Sequence, residues 1–121
     1  MFKIDSFVLY VDDIEISKKF YTDTFECEGQ VLSPTFVSFP LGTEVTIELK
    51  QIAQAEPSAT ITGGGTELSL VVENPERLHK LYDQWKLKGV TFLQVPTELV
   101  FGLTFVAIDP DEHRIRVFAH K

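Results

Sequence analysis

The three histidines are the side chains best suited to ligate a metal ion or to transfer a proton. His79 stands on the polar side of a predicted helix, where solvent surrounds it, and His113 stands in a predicted hairpin turn. His120 is one residue from the last in the sequence. A three-histidine site would require all of them to converge, and such different positions do not predict one.

Other catalytic and cofactor motifs lack the sequence context that they need. Cys27 is the one cysteine, so the sequence predicts neither an internal disulfide nor a cysteine-based zinc site. The three glycines at 63–65 do not stand between a strand and a helix, as a phosphate-binding loop does. No Ser-His-Asp or Cys-His arrangement has supporting local sequence. Arg116 is expected to form a hydrogen-bonded ion pair with Glu48 or Glu67, because a buried charge without a partner is energetically costly.

Composition and charge narrow the classes of function. The chain has 121 residues and a formal net charge of −7, without a cluster of Lys or Arg, which argues against nucleic-acid binding. This negative charge favours a neutral or cationic ligand. No apolar run approaches ~18 residues, and no charged segment followed by an apolar stretch begins the sequence. We therefore expect a cytoplasmic protein without a membrane partner.

Apolar periodicity predicts two helices and eight strands. Asp12 and Asp13 can cap the start of the first helix, and Gly29 is its predicted end. The second helix is predicted to have Asn74 as its cap, Pro75 at its first position and Gly89 at its end. Asp109-Pro110 predicts a tight turn inside the last hairpin, at 104–118. The segment 96–102 is predicted to be irregular, and 40–43 a turn. The helices are predicted at 14–26 and from Pro75 to Gly89, and the strands before the hairpin at 6–11, 30–32, 35–39, 44–50, 67–72 and 90–95.

The two halves of the chain resemble each other. Residues 6–21 match 67–82 at a constant offset of 61, and TFVSF at 35–39 matches TFVAI at 104–108. The last strands of the two halves can be aligned in two ways. TIEL at 46–49 can match IRVF at 115–118, or Ile47 can match Ile115, which matches Glu48 with Arg116. The alternation of apolar and polar residues favours the second alignment. Each half then reads as strand, helix and three strands. We expect one domain over 1–121, made of a module at 1–50, a linker at 51–65 and a module at 66–121.

Strand alternation gives each sheet an apolar face for its helix and a second face of mixed polar and aromatic residues. If the sheet curls, the second face lines a concavity where rings could stack on a flat ligand. Each ring could instead be part of the core, and Tyr10 and Phe101 are the stronger pocket candidates. The predicted ligand contacts are Tyr10, Phe36, Phe39, Glu48, Glu67, Phe101, Phe105, Arg116 and Phe118.

The order of several short motifs resembles the vicinal oxygen chelate superfamily, which contains glyoxalase I, extradiol dioxygenases and bleomycin-resistance proteins. These motifs are Val11-Asp12-Asp13, Phe20-Tyr21, Phe101-Gly102 before a strand, and Asp109-Pro110-Asp111-x-His113-x-Ile115. The resemblance covers nearly the whole chain. It implies an α+β fold of two paired βαβββ modules that form a curved mixed sheet with helices on the outer face, commonly in a homodimer.

The resemblance also bears on metal binding. The positions that ligate metal in metal-dependent members match Ser6, Glu48, Glu67 and Arg116. A neutral serine is a poor ligand and a cationic arginine repels the ion, so we predict no metal, no cofactor and no catalytic residue.

Among metal-free relatives, the stretches at 36–40, 76–89 and 99–117 are similar to phenazine-type antibiotic-binding resistance proteins. The predicted function is metal-free binding and sequestration of a planar aromatic or cationic toxic small molecule. Two alternatives stay open. One is a metal-dependent glyoxalase-type lyase or dioxygenase that uses Glu48, Glu67 and a water. The other is a small scaffold protein whose concavity is vestigial and whose function depends on its dimer surface.

Overall fold

The computed structural model describes residues 1–41 and 44–120 and shows the predicted α+β fold. In chain order the elements are β1 (Ser6–Val11), α1 (Ile14–Phe25), β2 (Gln30–Ser33), β3 (Phe36–Pro40), β4 (Thr46–Gln51), a 3₁₀ turn (Ile52–Gln54), β5 (Glu67–Val71), α2 (Pro75–Leu87), β6 (Thr91–Leu99), β7 (Gly102–Ile108) and β8 (Arg114–His120).

The chain forms two compact units with the same topology, Met1–Gly63 and Gly64–Lys121. The sheet of unit 1 has the strand order β1-β4-β3-β2, and that of unit 2 has the order β5-β8-β7-β6. In each sheet the first strand of the unit pairs in parallel with the last, and the other pairs are antiparallel. The predicted strand-helix-three-strand repeat is therefore confirmed.

Strand pairing fixes how the two sheets correspond. Ile47 pairs with Phe7 and Phe39, and Ile115 pairs with Leu68 and Ala107. Ile47 and Ile115 are thus equivalent, as alternation predicted. Phe39, however, corresponds to Ala107 and not to Ile108, so the match of TFVSF with TFVAI is wrong by one residue. A shift of one residue along a strand exchanges the two faces of the sheet.

Helix α1 begins at its predicted cap but ends differently. Asp13 Oδ1 accepts hydrogen bonds from the backbone N–H groups of Glu15 and Ile16, at 3.0 and 3.2 Å. The helix ends at Phe25, and Glu26 takes the left-handed conformation, with φ 51°. Gly29 is therefore not the stop. A Cβ atom at Gly29 would lie 2.7 Å from Phe39 Cζ, so this glycine makes room for a core ring.

Helix α2 follows its prediction. The Asn74 side chain accepts a hydrogen bond from Arg77 N at 2.8 Å, and Pro75 occupies the first turn. Gly89 follows the helix with φ 81°, a value that favours glycine. Leu78 and Trp85 are buried. They form the core of unit 2 together with the apolar face of its sheet.

Two segments differ from the prediction. Strand β6 continues through Pro96 to Leu99, so most of the segment expected to be irregular is a strand. The β6–β7 ladder is irregular between Gln94 and Thr97, which accommodates a residue without an N–H group. Of the turn predicted at 40–43, Pro40 belongs to β3, and residues 42–43 lie outside the described residues.

The turn between β7 and β8 is organised by one buried carboxylate. Asp109 Oδ1 accepts hydrogen bonds from Asp111 N at 2.9 Å and His113 N at 2.8 Å, and its Oδ2 lies 2.7 Å from His113 Nδ1. Glu112 N donates to Asp109 O at 3.1 Å, which closes the predicted tight turn. His113 is buried against this carboxylate, so its contacts are those of a structural residue.

Candidate functional site

Each sheet has one face covered by its helix and one open face. In unit 1, Phe39 contacts Tyr21 of α1, and Val37, Phe39, Ile47 and Leu49 are buried on this covered face. Their neighbours along each strand point the other way. We call the opposite surface the open face of unit 1, and the corresponding surface of the second sheet the open face of unit 2.

Three strands of unit 1 place three functional side chains in one row. Lys50 of β4 pairs with Tyr10 of β1 on one side and with Phe36 of β3 on the other. The next row on the same face contains Val8, Glu48 and Ser38. Two aromatic rings therefore flank one ammonium group on the open face.

This row lines a pocket of about 400 Å³. All of its lining residues belong to unit 1, and Tyr10 and Phe36 supply its two aromatic rings. Apolar and aromatic walls with a few polar groups are typical of small-molecule sites. The lining residues are Val8, Tyr10, Ser33, Phe36, Lys50, Ala55 and Glu56.

The Lys50 ammonium is held by a hydroxyl group and a ring. Its Nζ donates to Thr35 Oγ1 at 2.8 Å and lies 5.8 Å from the centroid of the Phe36 ring. Ser33 Oγ accepts a hydrogen bond from Thr35 N at 3.2 Å and lies 3.4 Å from Thr35 Oγ1. This local network orients the lysine toward the pocket.

The open face of unit 2 also has a central cation, but this one has a counter-charge. Arg116 Nε donates to Glu67 Oε1 at 2.7 Å, and its Nη1 donates to Thr104 Oγ1 at 3.1 Å. Its Cζ lies 5.9 Å from the Phe101 ring centroid. The ion pair expected of Glu48 or Glu67 with Arg116 is therefore made by Glu67.

Aromatic rings continue this second cluster. The centroids of Phe101 and Phe118 are 5.7 Å apart, and those of Phe118 and His120 are 5.0 Å apart, both edge to face. The structure thus brings together four predicted contacts within unit 2, namely Glu67, Phe101, Arg116 and Phe118. In unit 1 it places Tyr10, Phe36 and Glu48 on one open face.

Two predicted ligand contacts lie in the cores instead. Phe39 and Phe105 are both 0% exposed. Phe39 packs on Tyr21, and Phe105 contacts the rings of Tyr82 and Trp85 at 5.5 Å. Both rings belong to faces that only the strand register determines, and a shift of one residue would place either ring on the opposite face.

The sequence interpretation missed Lys50, Thr35 and Thr104. The alternation that placed Glu48 on the open face also places Lys50 there, two residues later on β4. That signal was available in the sequence. The hydroxyl groups of Thr35 and Thr104 gave no comparable signal, because their role depends on which long side chain reaches them.

The sequence and the fold of the chain define its class. The sequence model of the Glyoxalase/Bleomycin resistance protein/Dioxygenase superfamily matches residues 3–117, and the chain belongs to this superfamily. It is 31% identical to the phenazine antibiotic resistance protein EhpR of Enterobacter agglomerans, over 91% of this chain and 86% of that protein.

Solved structures share the fold of this chain. A protein of Agrobacterium tumefaciens with a solution NMR structure is 40% identical, with a TM-score of 0.89 over 100% of this chain and 99% of that one. A superfamily member from Sphaerobacter thermophilus is 24% identical, with a TM-score of 0.80 over 99% of this chain and 98% of that one, and shows the fold alone.

The residues that the sequence resemblance matches to metal positions do not suit a divalent cation. In unit 2, Arg116 is itself a cation, and it is bound to the Glu67 carboxylate. In unit 1, Ser6 is neutral and lies beside Thr46. Within residues 1–41 and 44–120, no group of three His, Cys, Asp or Glu residues is arranged to hold a metal ion.

The two helices of the described chain are short. Neither α1, with 12 residues, nor α2, with 13, is long and apolar enough to cross a membrane.

Proposed function

We propose that the protein binds and sequesters a planar aromatic small molecule, of the kind found among antibiotics and toxins, without a metal ion. The observation that carries this proposal is the pocket of unit 1, in which Tyr10 and Phe36 flank Lys50. The 31% identity to a phenazine antibiotic resistance protein supports it.

The chemistry of the open faces favours binding over catalysis. Each aromatic contact with a flat ligand contributes about 1 kcal/mol beyond the area that it buries. We propose ligand contacts for each open face taken by itself, namely Tyr10, Phe36 and Glu48 on that of unit 1, and Glu67, Phe101, Arg116 and Phe118 on that of unit 2. The charged groups of unit 2 are paired with each other, so Glu67 and Arg116 would meet a ligand as a neutral, hydrogen-bonded pair beside the Phe101 ring.

A binding titration tests the proposal. Phenazine and other flat aromatic compounds are titrated calorimetrically with and without EDTA, and the recovered ligand is examined by mass spectrometry. We expect saturable binding that EDTA does not change, and chemically unaltered ligand. Conversion of the ligand, or binding that EDTA abolishes and a divalent metal restores, would favour the metal-dependent lyase or dioxygenase.

A site variant connects binding to the pocket. Tyr10→Leu removes one of the two rings that line it, so we expect the affinity for the same ligand to fall about tenfold. Tyr82→Leu is the matched control, because Tyr82 packs on Phe92 and Phe105 in the other unit. Equal affinities of the wild type and Tyr10→Leu would exclude this pocket as the binding site.

We also propose that the protein is a homodimer. The outer strands β2 and β6 carry exposed apolar side chains, including Val31, Leu32, Leu93 and Val95, each between 51% and 59% exposed. Such residues on sheet edges favour association. Light scattering coupled to size-exclusion chromatography would show a mass of about twice 13.7 kDa, and a monomeric mass would overturn the proposal.

A further inference from the structure

We infer that the ligand of the unit 1 pocket carries an anionic group, such as an aromatic carboxylate, and that this group pairs with Lys50. The inference rests on the proposed function and specifies its ligand class. Lys50 stands at the centre of the row between Tyr10 and Phe36, and its side chain reaches into the pocket.

The first argument is that Lys50 lacks a counter-charge. Among the described residues, no Asp or Glu oxygen lies within 4.0 Å of Lys50 Nζ. Glu48 is two residues away on the same strand face, and Glu56 lines the pocket, yet neither is close enough to form an ion pair. A partly buried ammonium is stabilised by an opposite charge, which a ligand carboxylate would supply through a charge-assisted hydrogen bond.

The second argument comes from Arg116, the corresponding cation of unit 2. Glu67 neutralises it, and Thr104 accepts another of its hydrogen bonds. Lys50 also has a threonine partner, Thr35, but no carboxylate. Of the two cations, Lys50 is therefore the one whose charge is left for a ligand.

The third argument concerns the shape of the ligand. Adjacent strands are about 4.8 Å apart, so the rings of Tyr10 and Phe36 stand roughly 10 Å apart with Lys50 between them. A flat ring system that stacks on one of them can present a substituent to the ammonium. This reverses the expectation of a cationic ligand, which rested on net charge. The attraction of a ligand to the net charge of the protein is long-range, and salt screens it beyond about 8–10 Å. Lys50 would contact the ligand directly, so its charge is screened much less.

A matched pair of ligands tests the inference. Phenazine-1-carboxylate and phenazine-1-carboxamide have nearly the same shape, and only the first is anionic at pH 7, where carboxyl groups with a pKa of about 4 are ionised. We expect the wild type to bind the carboxylate about tenfold or more tightly than the amide, as measured by calorimetry. Lys50→Met should remove this preference, and Lys50→Arg should retain most of it.

Lys86→Met is the control. Lys86 Nζ lies 5.9 Å from the Tyr82 ring centroid, a geometry close to that of Lys50 over Phe36, but it belongs to α2 of unit 2. This variant should keep the wild-type preference for the carboxylate. Circular dichroism checks that each variant is folded before its affinities are compared.

The outcomes separate the inference from the proposed function. Equal binding of both ligands by the wild type, or a preference that survives in Lys50→Met, overturns the anionic ligand but leaves aromatic binding in place. Loss of the preference in Lys86→Met as well would also overturn it, because the effect would then not be local to the pocket. Binding of neither ligand overturns both proposals.

Discussion

At the scale of single residues, the main difference between the two open faces is how each cation is satisfied. Arg116 has a carboxylate and a hydroxyl partner, and its side chain is 19% exposed. Lys50 has a hydroxyl partner and a ring. The arginine is therefore part of the framework of unit 2, since removing it would leave the Glu67 charge without its partner.

This difference predicts a stability effect. Arg116→Met should lower the free energy of unfolding by about 1–2 kcal/mol, because it breaks a charge-assisted hydrogen bond that is partly shielded from water. Urea titrations of Arg116→Met, Glu67→Gln and the double variant give the coupling energy, which we expect to be about 1 kcal/mol.

An exposed ion pair provides the control for that experiment. Lys19 and Asp23 are 2.7 Å apart on α1, but their side chains are 78% and 47% exposed. Lys19→Met should cost less than about 0.5 kcal/mol. A coupling energy near zero for Glu67 and Arg116 would mean that their pair is no stronger than this surface pair.

At the scale of elements, the start of strand β7 depends on a glycine. Gly102 has φ 145°, and a Cβ atom there would lie 2.0 Å from the backbone oxygen of Ala119. Glycine thus allows β7 to approach β8 closely, directly after Phe101. This explains in physical terms the Phe101-Gly102 motif noticed in the sequence.

Replacing Gly102 should be more costly than replacing a glycine in open space. Gly102→Ala should lower the free energy of unfolding by about 3 kcal/mol or more, because the backbone of β8 cannot move aside without breaking its ladder. Gly89→Ala should cost about 1 kcal/mol, since Gly89 has φ 81° but no atom within 4 Å of the added Cβ. Urea unfolding curves of both variants make the comparison, and equal costs would contradict this explanation.

At the scale of the whole molecule, the internal repeat is a repeat of topology more than of side chains. Glu48 corresponds to Arg116 and Lys50 to Phe118, so equivalent strands carry different chemistry on their open faces. Phe36 and Phe105, which match in sequence, belong to opposite faces. Similarity of short segments is therefore a poor guide to function in this chain unless the strand register is known.

A pair of identical substitutions tests this view of the repeat. Phe36→Leu should weaken binding of a flat aromatic ligand several-fold and change stability by less than about 1 kcal/mol, since Phe36 lines the pocket. Phe105→Leu should lower stability by about 1–3 kcal/mol through its lost ring contacts and leave the affinity of the folded protein unchanged. Urea unfolding and calorimetry measure the two effects, and the reverse pattern would contradict the assignment of faces.

The fold was more predictable from the sequence than the candidate site was. Helix caps at Asp13 and Asn74 and the turn at Asp109 depend on local chemistry, so they could be predicted. The pocket depends on which side chains share a row across three strands, and that requires the register. The continuation of β6 through Pro96 also depends on tertiary pairing, which local propensity does not reveal.

The parallel pairs β1–β4 and β5–β8 have a consequence for the order in which the chain folds. Among the described residues, the first strand of each unit pairs only with the last strand of that unit, so neither sheet is complete until its last strand has been synthesised. All four strands of unit 1 precede Gly64, so that unit can close while the ribosome is still making unit 2. Unit 2 must wait for β8, which lies inside its sheet, and until β8 has been made β5 lacks the strand that it pairs with.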